Sequence, residues 1–143
     1  MNKIIIVLLI LFGIIISGCI ANPLRQVPVV KVNITFAEDK QGIAQVVNYT
    51  LVQGTVNYLS RPRQTEAYSF PAIGSRTIIS KSVNSSIGPW EMVPYKGSGT
   101  YSYNIGFDEK HYPVANDTVH VSITVVNANA GKIGNLEEII KWK

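Results

Sequence analysis

The chain has 143 residues, 46% of them hydrophobic, and carries 13 basic against 9 acidic side chains. That length suits one domain with a single core, and the mild +4 charge is scattered, with Arg61, Arg63 and Arg76 the nearest approach to a basic patch, so no nucleic-acid partner is expected. The one cysteine, Cys19, leaves no disulfide to be made within the chain.

The first 19 residues are set apart from the rest. Asn2-Lys3 and the amino group form a basic start, and Ile4 to Ile16 then run apolar without a charge. As a helix this run rises roughly 20 Å, short of the ~30 Å hydrocarbon core of a bilayer. It matches the hydrophobic helix of a secretory signal, with small residues at Ser17 and Gly18 to suit a signal peptidase. The closing run Ile16-Ser17-Gly18-Cys19 resembles the lipobox of prolipoproteins: aliphatic, small, small, Cys. The resemblance implies cleavage between Gly18 and Cys19 and a diacylglyceryl group on the Cys19 thiol, the best nucleophile among the neutral side chains. Two acyl chains anchor a protein stably where one holds it only marginally. An ordinary signal peptide with an incidental cysteine, and an uncut N-terminal membrane helix, are the competing readings. On the lipoprotein reading residues 1–18 are the signal peptide, 19–28 a tether broken by Asn22-Pro23 and Pro28, and 29–143 the folded domain. Loss of Lys3 leaves 12 basic against 9 acidic side chains.

From Val29 the dominant period is two. Val30, Val32, Ile34 and Phe36 fall on one face and Lys31, Asn33 and Thr35 on the other, followed by a polar turn from Glu38 to Gly42. Gln45–Ser60 continues as strand, with Val47, Tyr49 and Leu51 alternating with Asn48 and Thr50, and Gln53-Gly54 marking a break or bulge. Arg61-Pro62-Arg63 is a loop, Glu66–Phe70 a short strand stopped by Pro71, and Ala72–Gly74 a turn before the strand Ser75–Val83. Asn84–Gly97 is irregular, its prolines excluding a central strand. Gly99–Phe107 and Thr118–Asn127 are the clearest strands, the first with Tyr101, Tyr103, Ile105 and Phe107 on one face, the second with Val119, Val121, Ile123 and Val125. Asn129-Ala130-Gly131 turns. Leu136–Lys143 stays open between a helix start at Glu137-Glu138-Ile139-Ile140 and a short strand, which the alternation of Ile140 and Trp142 favours.

After Cys19 no segment sustains a 3.6-residue period. About seven short strands separated by turn residues predict an all-β fold, a single antiparallel β-sandwich behind the N-terminal hydrophobic signal helix. Gly99-Thr100-Tyr101-Ser102-Tyr103 resembles the start of strand F in immunoglobulin-like and fibronectin-type domains, where a tyrosine stands two residues before a core position. The resemblance implies an immunoglobulin-like sandwich, with Tyr103 where an antibody domain has its cysteine and Trp90 away from the strand-C position. The Ile/Asn/Lys-rich style, four N-x-S/T sequons and lack of a disulfide resemble small archaeal or bacterial surface lipoproteins.

No catalytic constellation is visible, and the expectation is a non-enzyme without a cofactor. His111 and His120 are the only histidines, with no HxH, HxxxH or cysteine pairing, so no metal site is expected. Asp108-Glu109 and Asn116-Asp117 offer oxygen atoms to calcium but lack EF-hand spacing. Lys96-Gly97-Ser98-Gly99 precedes a strand rather than opening a helix, so it reads as a turn and not as a phosphate cradle. Four N-x-S/T sequons occur, at Asn33, Asn48, Asn84 and Asn116. In a strand, residues i and i+2 share a face, so a polar face of Asn and Thr writes the motif unaided at Asn33 and Asn48. Asn84 and Asn116, in or beside loops, are the better glycosylation candidates. Gly88–Tyr95 sets large apolar groups in a loop, with Trp90 and Tyr95 either forming a binding surface or capping the open end of the core.

These readings converge on a lipid-anchored protein on the extracytoplasmic face of a cell membrane. Its expected role is a binding or scaffolding module for envelope proteins or glycans. The alternative is a solute- or glycan-binding accessory lipoprotein using aromatic residues such as Trp90, Tyr95 and Tyr112.

Overall fold

A computed structural model of the chain describes residues 24–58, 69–129 and 131–143. Cys19, the cleavage expected after Gly18 and the expected apolar helix lie outside the described residues, as do the loop expected at Arg61-Pro62-Arg63 and most of the strand expected at Glu66–Phe70. Ser69 and Phe70, which are described, are not strand.

The described residues form eight strands and no helix: β1 (Gln26–Glu38), β2 (Ala44–Asn57), β3 (Ala72–Ser80), β4 (Ser85–Ile87), β5 (Glu91–Pro94), β6 (Gly99–Ile105), β7 (Thr118–Asn127) and β8 (Gly131–Lys141). All pairings are antiparallel. One sheet has the order β2-β1-β6. The other runs β4-β3-β7-β8, with β5 sharing the same side of β3 as a second short edge segment.

The period-two pattern works as an instruction to bury one face. Val30, Val32, Ile34 and Phe36 of β1 meet Ile73 and Ile79 of β3, Ile105 of β6 and Val119, Val121, Ile123 and Val125 of β7 in one core. That core draws on both sheets, so the all-β architecture is sandwich-like. Removing each such side chain from water contributes about 1.5–3 kcal/mol. The polar positions between them, Lys31 and Asn33 among them, face out.

Several boundaries differ from the sequence reading, each for a physical reason. Strand β1 begins at Gln26, inside the segment expected to be tether. Pro28 is tolerated because β6 pairs with β1 only from Val30 onward, so at Pro28 β1 has β2 alone as a neighbour and a missing N–H breaks no ladder on the other side. Along β2 the bulge is at Val47, not at Gln53-Gly54: Thr35 pairs with Asn48 and Phe36 with Val46. The extra residue reverses the phase, so Val46 and Leu51 pack on the core while Val47 is 63% exposed. Ala72–Gly74 is not a turn but the start of β3, paired on both sides. Gly74 is there for close approach: a Cβ would meet the Trp90 ring and Met92 Sδ at 3.3 Å. The irregular stretch Asn84–Gly97 contains β4 and β5, and Pro94 fits because β5 is an edge. The open case at Leu136–Lys143 is a strand through Lys141, paired with β7 across a bulge between Val125 and Val126.

The register fixes two ends. At the proximal end lie the start of β1, the ends of β2, β3, β6 and β8 and the start of β7. Phe107 and Trp142 close the core there, edge to face at 5.2 Å, and Trp142 is pinned by backbone bonds to Asn116 and Asp117. At the distal end Phe36, Tyr95 and Tyr101 form the corresponding cap. Along one side, side chains join β2 to β8: the Tyr49 hydroxyl donates to Glu138, and the Gln53 side chain donates to Lys141 O at 2.6 Å and accepts from Lys143 N at 3.0 Å.

Two polar links cross the interior. Ser75 Oγ and Tyr103 Oη are 2.7 Å apart, and Thr77 Oγ1 donates to Gly106 O at 2.8 Å. Burial pushes the Tyr103 phenol up to about 12, against the opposing effect of the Ser75 hydrogen bond. Because the folded value lies above the ordinary tyrosine value of 10.0, this contribution to stability is intact below pH 10 and is lost as pH rises towards about 12. Denaturant midpoints should therefore fall across that window by the equivalent of about 2 kcal/mol. Tyr103→Phe should flatten the fall, and an unchanged profile in that variant would assign the alkaline loss to other groups.

Candidate functional site

The proximal end carries a cleft of about 490 Å³ between the two sheets. Its walls are Val27 and Pro28 at the start of β1, Ile87 at the end of β4 with Pro89 beyond it, and Phe107 beyond β6. Gly88 and Gly106 form the floor, where the Gly88 N–H donates to Thr77 O at 2.8 Å. The absence of side chains at both glycines lets these backbones meet: a Cβ on Gly88 would stand 2.5 Å from Thr77 Oγ1.

The polar rim comes from chain segments far apart in sequence. Tyr58, just past β2, donates its hydroxyl to Glu109 Oε1 at 2.9 Å, and that carboxylate raises the phenol's pKa. The Arg25 guanidinium lies 5.5 Å from the centre of the Tyr112 ring, and Tyr58 N donates to Arg25 O. Asp108 accepts from the Lys110 N–H at 3.3 Å and pairs with His111 Nδ1 at 2.8 Å. The His111 contact, with the backbone bond second, holds the Asp108 carboxyl below its ordinary value. Two phenol rings beside two carboxylates, on an apolar floor, suit a small ligand that offers hydroxyl or ammonium groups on an apolar frame.

The residues singled out by sequence are dispersed. Trp90 is 49% exposed and lies on the outer face of β3, its ring 4.8 Å from the Arg76 guanidinium. Tyr95 is 6% exposed, stacked on Tyr101 in the distal cap, where burial and then Glu38 push its pKa up. The two residues left open between a binding surface and a cap on the core therefore part company: Tyr95 is buried in the distal cap and Trp90 is half exposed on the outer face. Asn84 and Asn116 are both exposed at the proximal end, one in the β3–β4 turn and the other in the β6–β7 loop, where Asn116 adopts a left-handed φ of 74°. Asn33 and Asn48 lie on the outer face of the β2-β1-β6 sheet, opposite Thr50 and Thr35, as a face built of Asn and Thr requires. His120 sits on β7, away from His111, and among the described residues no three His, Cys, Asp or Glu side chains gather as a metal site.

Of the cleft residues, the sequence marks Tyr112 as a possible ligand contact and Asp108-Glu109 as oxygen donors without a metal-site spacing. The Asp108-Glu109-Lys110-His111-Tyr112 run, acids beside an aromatic just after a strand, was a local signal. Nothing local marks Arg25 or Tyr58, which antiparallel pairing brings to the same end. No protein-family model, no curated protein and no solved structure matches the chain.

Proposed function

We infer that the chain is a lipid-anchored cell-surface protein and that its β-domain is a binding module of the envelope. The observation that carries this reading is the Ile16-Ser17-Gly18-Cys19 run placed six residues ahead of the first strand at Gln26. A lipidated Cys19 would hold the domain close to the bilayer, since the stretch from Cys19 to Gln26 reaches at most about 25 Å. Confinement of this kind raises the effective concentration of the module towards other membrane components. Cys19→Ser, expressed with the complete signal, should move the protein from the membrane fraction to the aqueous phase of a detergent partition. Equal membrane retention of wild type and variant would refute the lipid anchor.

The alternative role, a solute- or glycan-binding accessory, is supported by the cleft, where Tyr58 and Tyr112 stand beside Asp108 and Glu109. Titration with a neutral oligosaccharide should perturb tyrosine fluorescence in wild type and not in Tyr112→Ala; an identical response in both would remove the cleft from consideration.

The immunoglobulin-like reading of the sandwich rests on a local device. Tyr101 Oη donates to Gly97 O at 2.6 Å and accepts from Lys96 N at 3.0 Å, a tyrosine corner four residues across. Its setting differs from the immunoglobulin pattern, because β6 is an edge strand paired with β1 alone, whereas strand F lies between C and G.

A further inference from the structure

We propose that the proximal end of the domain is a docking face for a lipid surface, so that the anchored protein sits on the membrane by this end rather than swinging free. The inference rests on the anchor reading of Cys19 and adds an orientation to it.

Three aliphatic side chains project from this end without packing on the core. Leu24, ahead of β1, is 58% exposed, Val83 in the β3–β4 turn 89%, and Val114 in the β6–β7 loop 59%. Each loop is fixed by its own hydrogen bonds. Lys81 N donates to Asn84 O at 3.1 Å across the β3–β4 turn. Val114 N donates to Asp117 Oδ2 at 2.9 Å, and Asp117 N to Val114 O at 3.0 Å. The Val83 and Val114 tips are thus presented by hydrogen-bonded turns. Ile87, at the end of β4, and Ile139, on β8, are exposed as well.

The charge at this end suits an anionic head-group layer. Arg25, Lys81, Lys110 and Lys141 are basic. Three acidic groups share this end, Asp117 at 3.6 Å from Lys81 Nζ, Asp108 beside His111 and Glu109 accepting from Tyr58, so the basic excess there is small. The distal turns differ in kind. Asp39, Lys40, Gln41 and Gly42 make one of them, and Lys96, Gly97 and Ser98 another; the exposed apolar groups there are Ile43 at 39% and Phe70, ahead of β3, at 47%. The end that carries the exposed aliphatic tips is also the end that the tether holds within about 25 Å of Cys19. That continuity selects a lipid surface over a soluble partner. Interfacial burial of apolar tips with flanking basic groups is the general means by which a domain rests on a bilayer.

One consequence separates this proposal from a simple tether. Asn84 is next to Val83, and Asn116 is close to Val114. A glycan on either would occupy the docking face, so both sequons should be unoccupied in the docked protein.

The test uses the full anchored chain reconstituted in vesicles of phosphatidylglycerol and phosphatidylcholine, with nitroxide lipids as quencher. Single cysteines are introduced as Val83→Cys, Val114→Cys and Ile43→Cys and labelled with a fluorophore; all three sites are exposed, so folding is spared. Docking predicts quenching several-fold stronger at positions 83 and 114 than at 43, reduced towards the level at 43 by Lys81→Glu with Lys110→Glu. Equal quenching at the three sites, with the protein still vesicle-bound, would overturn docking and leave the anchor standing. Labels at 83 and 114 shielded from water but not quenched by lipid, together with a dimer in sedimentation, would overturn it in favour of a second copy of the chain. Loss of the wild type from the vesicles would overturn the anchor and docking together.

Discussion

Phe36→Ala should lower the stability of the domain by about 3–5 kcal/mol, read as a fall in the denaturant midpoint without a large change in slope. Phe36 is 2% exposed and stands at the meeting point of the distal cap. Its ring lies edge-on to Tyr95 at 5.7 Å and to Tyr101 at 5.9 Å, and those two rings stack on each other at 5.7 Å. Truncation removes two aromatic contacts as well as the buried area, and the β1 backbone beneath cannot collapse into the gap because β2 and β6 hold it on both sides. A domain of this size has only about 5–15 kcal/mol to lose. By contrast Trp90→Ala, at a half-exposed ring on the outer face, should cost about 1 kcal/mol or less. Similar losses for the two variants would mean that the distal cap is not packed as described.

The second large effect is expected at the floor of the cleft. Gly88→Ala would place a methyl group 2.5 Å from Thr77 Oγ1 and 3.2 Å from the carbonyl oxygens of Gly106 and Thr77. Thr77 is fully buried and β-branched, and its hydroxyl is committed to Gly106 O at 2.8 Å, so it cannot swing aside as a long surface chain would. Overpacking of this kind costs about 1–3 kcal/mol. Thr77→Ala alone should also cost about 1–3 kcal/mol, since it leaves the Gly106 carbonyl without its buried donor. In the double variant the overlapping atom is gone, so the combined loss should fall short of the sum by about 1 kcal/mol. Strict additivity would show that the two positions do not share this contact.

The alternation along β1, β6 and β7 was legible because each strand has one face on the core and one towards water, and period two records that directly. The pattern says which side chains go in; it does not say which strand lies alongside. The order β2-β1-β6 and the meeting of Arg25, Tyr58 and Tyr112 depend on contacts between distant segments, and no window of sequence contains them. The bulge at Val47 was missed for a related reason: a single inserted residue shifts the phase, and the apolar Val46-Val47 pair reads equally well in either register. Pro94 and Pro28 were taken as breaks, yet each occupies a place where one side of the strand has no partner. Tyr95 follows a proline in an irregular run with no alternation to assign its face, and only its stacking on Tyr101 reveals it as core. Gly74 was read as a turn residue, whereas its role is to let the Trp90 ring lie on β3.

The functional reading joins two parts of the chain that physical chemistry ties closely. On the proposed reading a lipidated Cys19 would set the proximal end near the bilayer, and that same end carries the cleft with Tyr58, Tyr112 and Glu109 and the exposed tips Val83 and Val114. A ligand for such a cleft would be met at the membrane surface, where head groups and envelope glycans offer hydroxyl and ammonium groups. Everything in that picture depends on the first covalent step. Intact mass of the protein extracted from membranes should correspond to a chain beginning at Cys19 with a diacylglyceryl adduct on its sulfur. A mass matching the uncleaved chain, or a chain cut elsewhere with the Cys19 thiol unmodified, would refute the lipoprotein reading and the membrane orientation built on it.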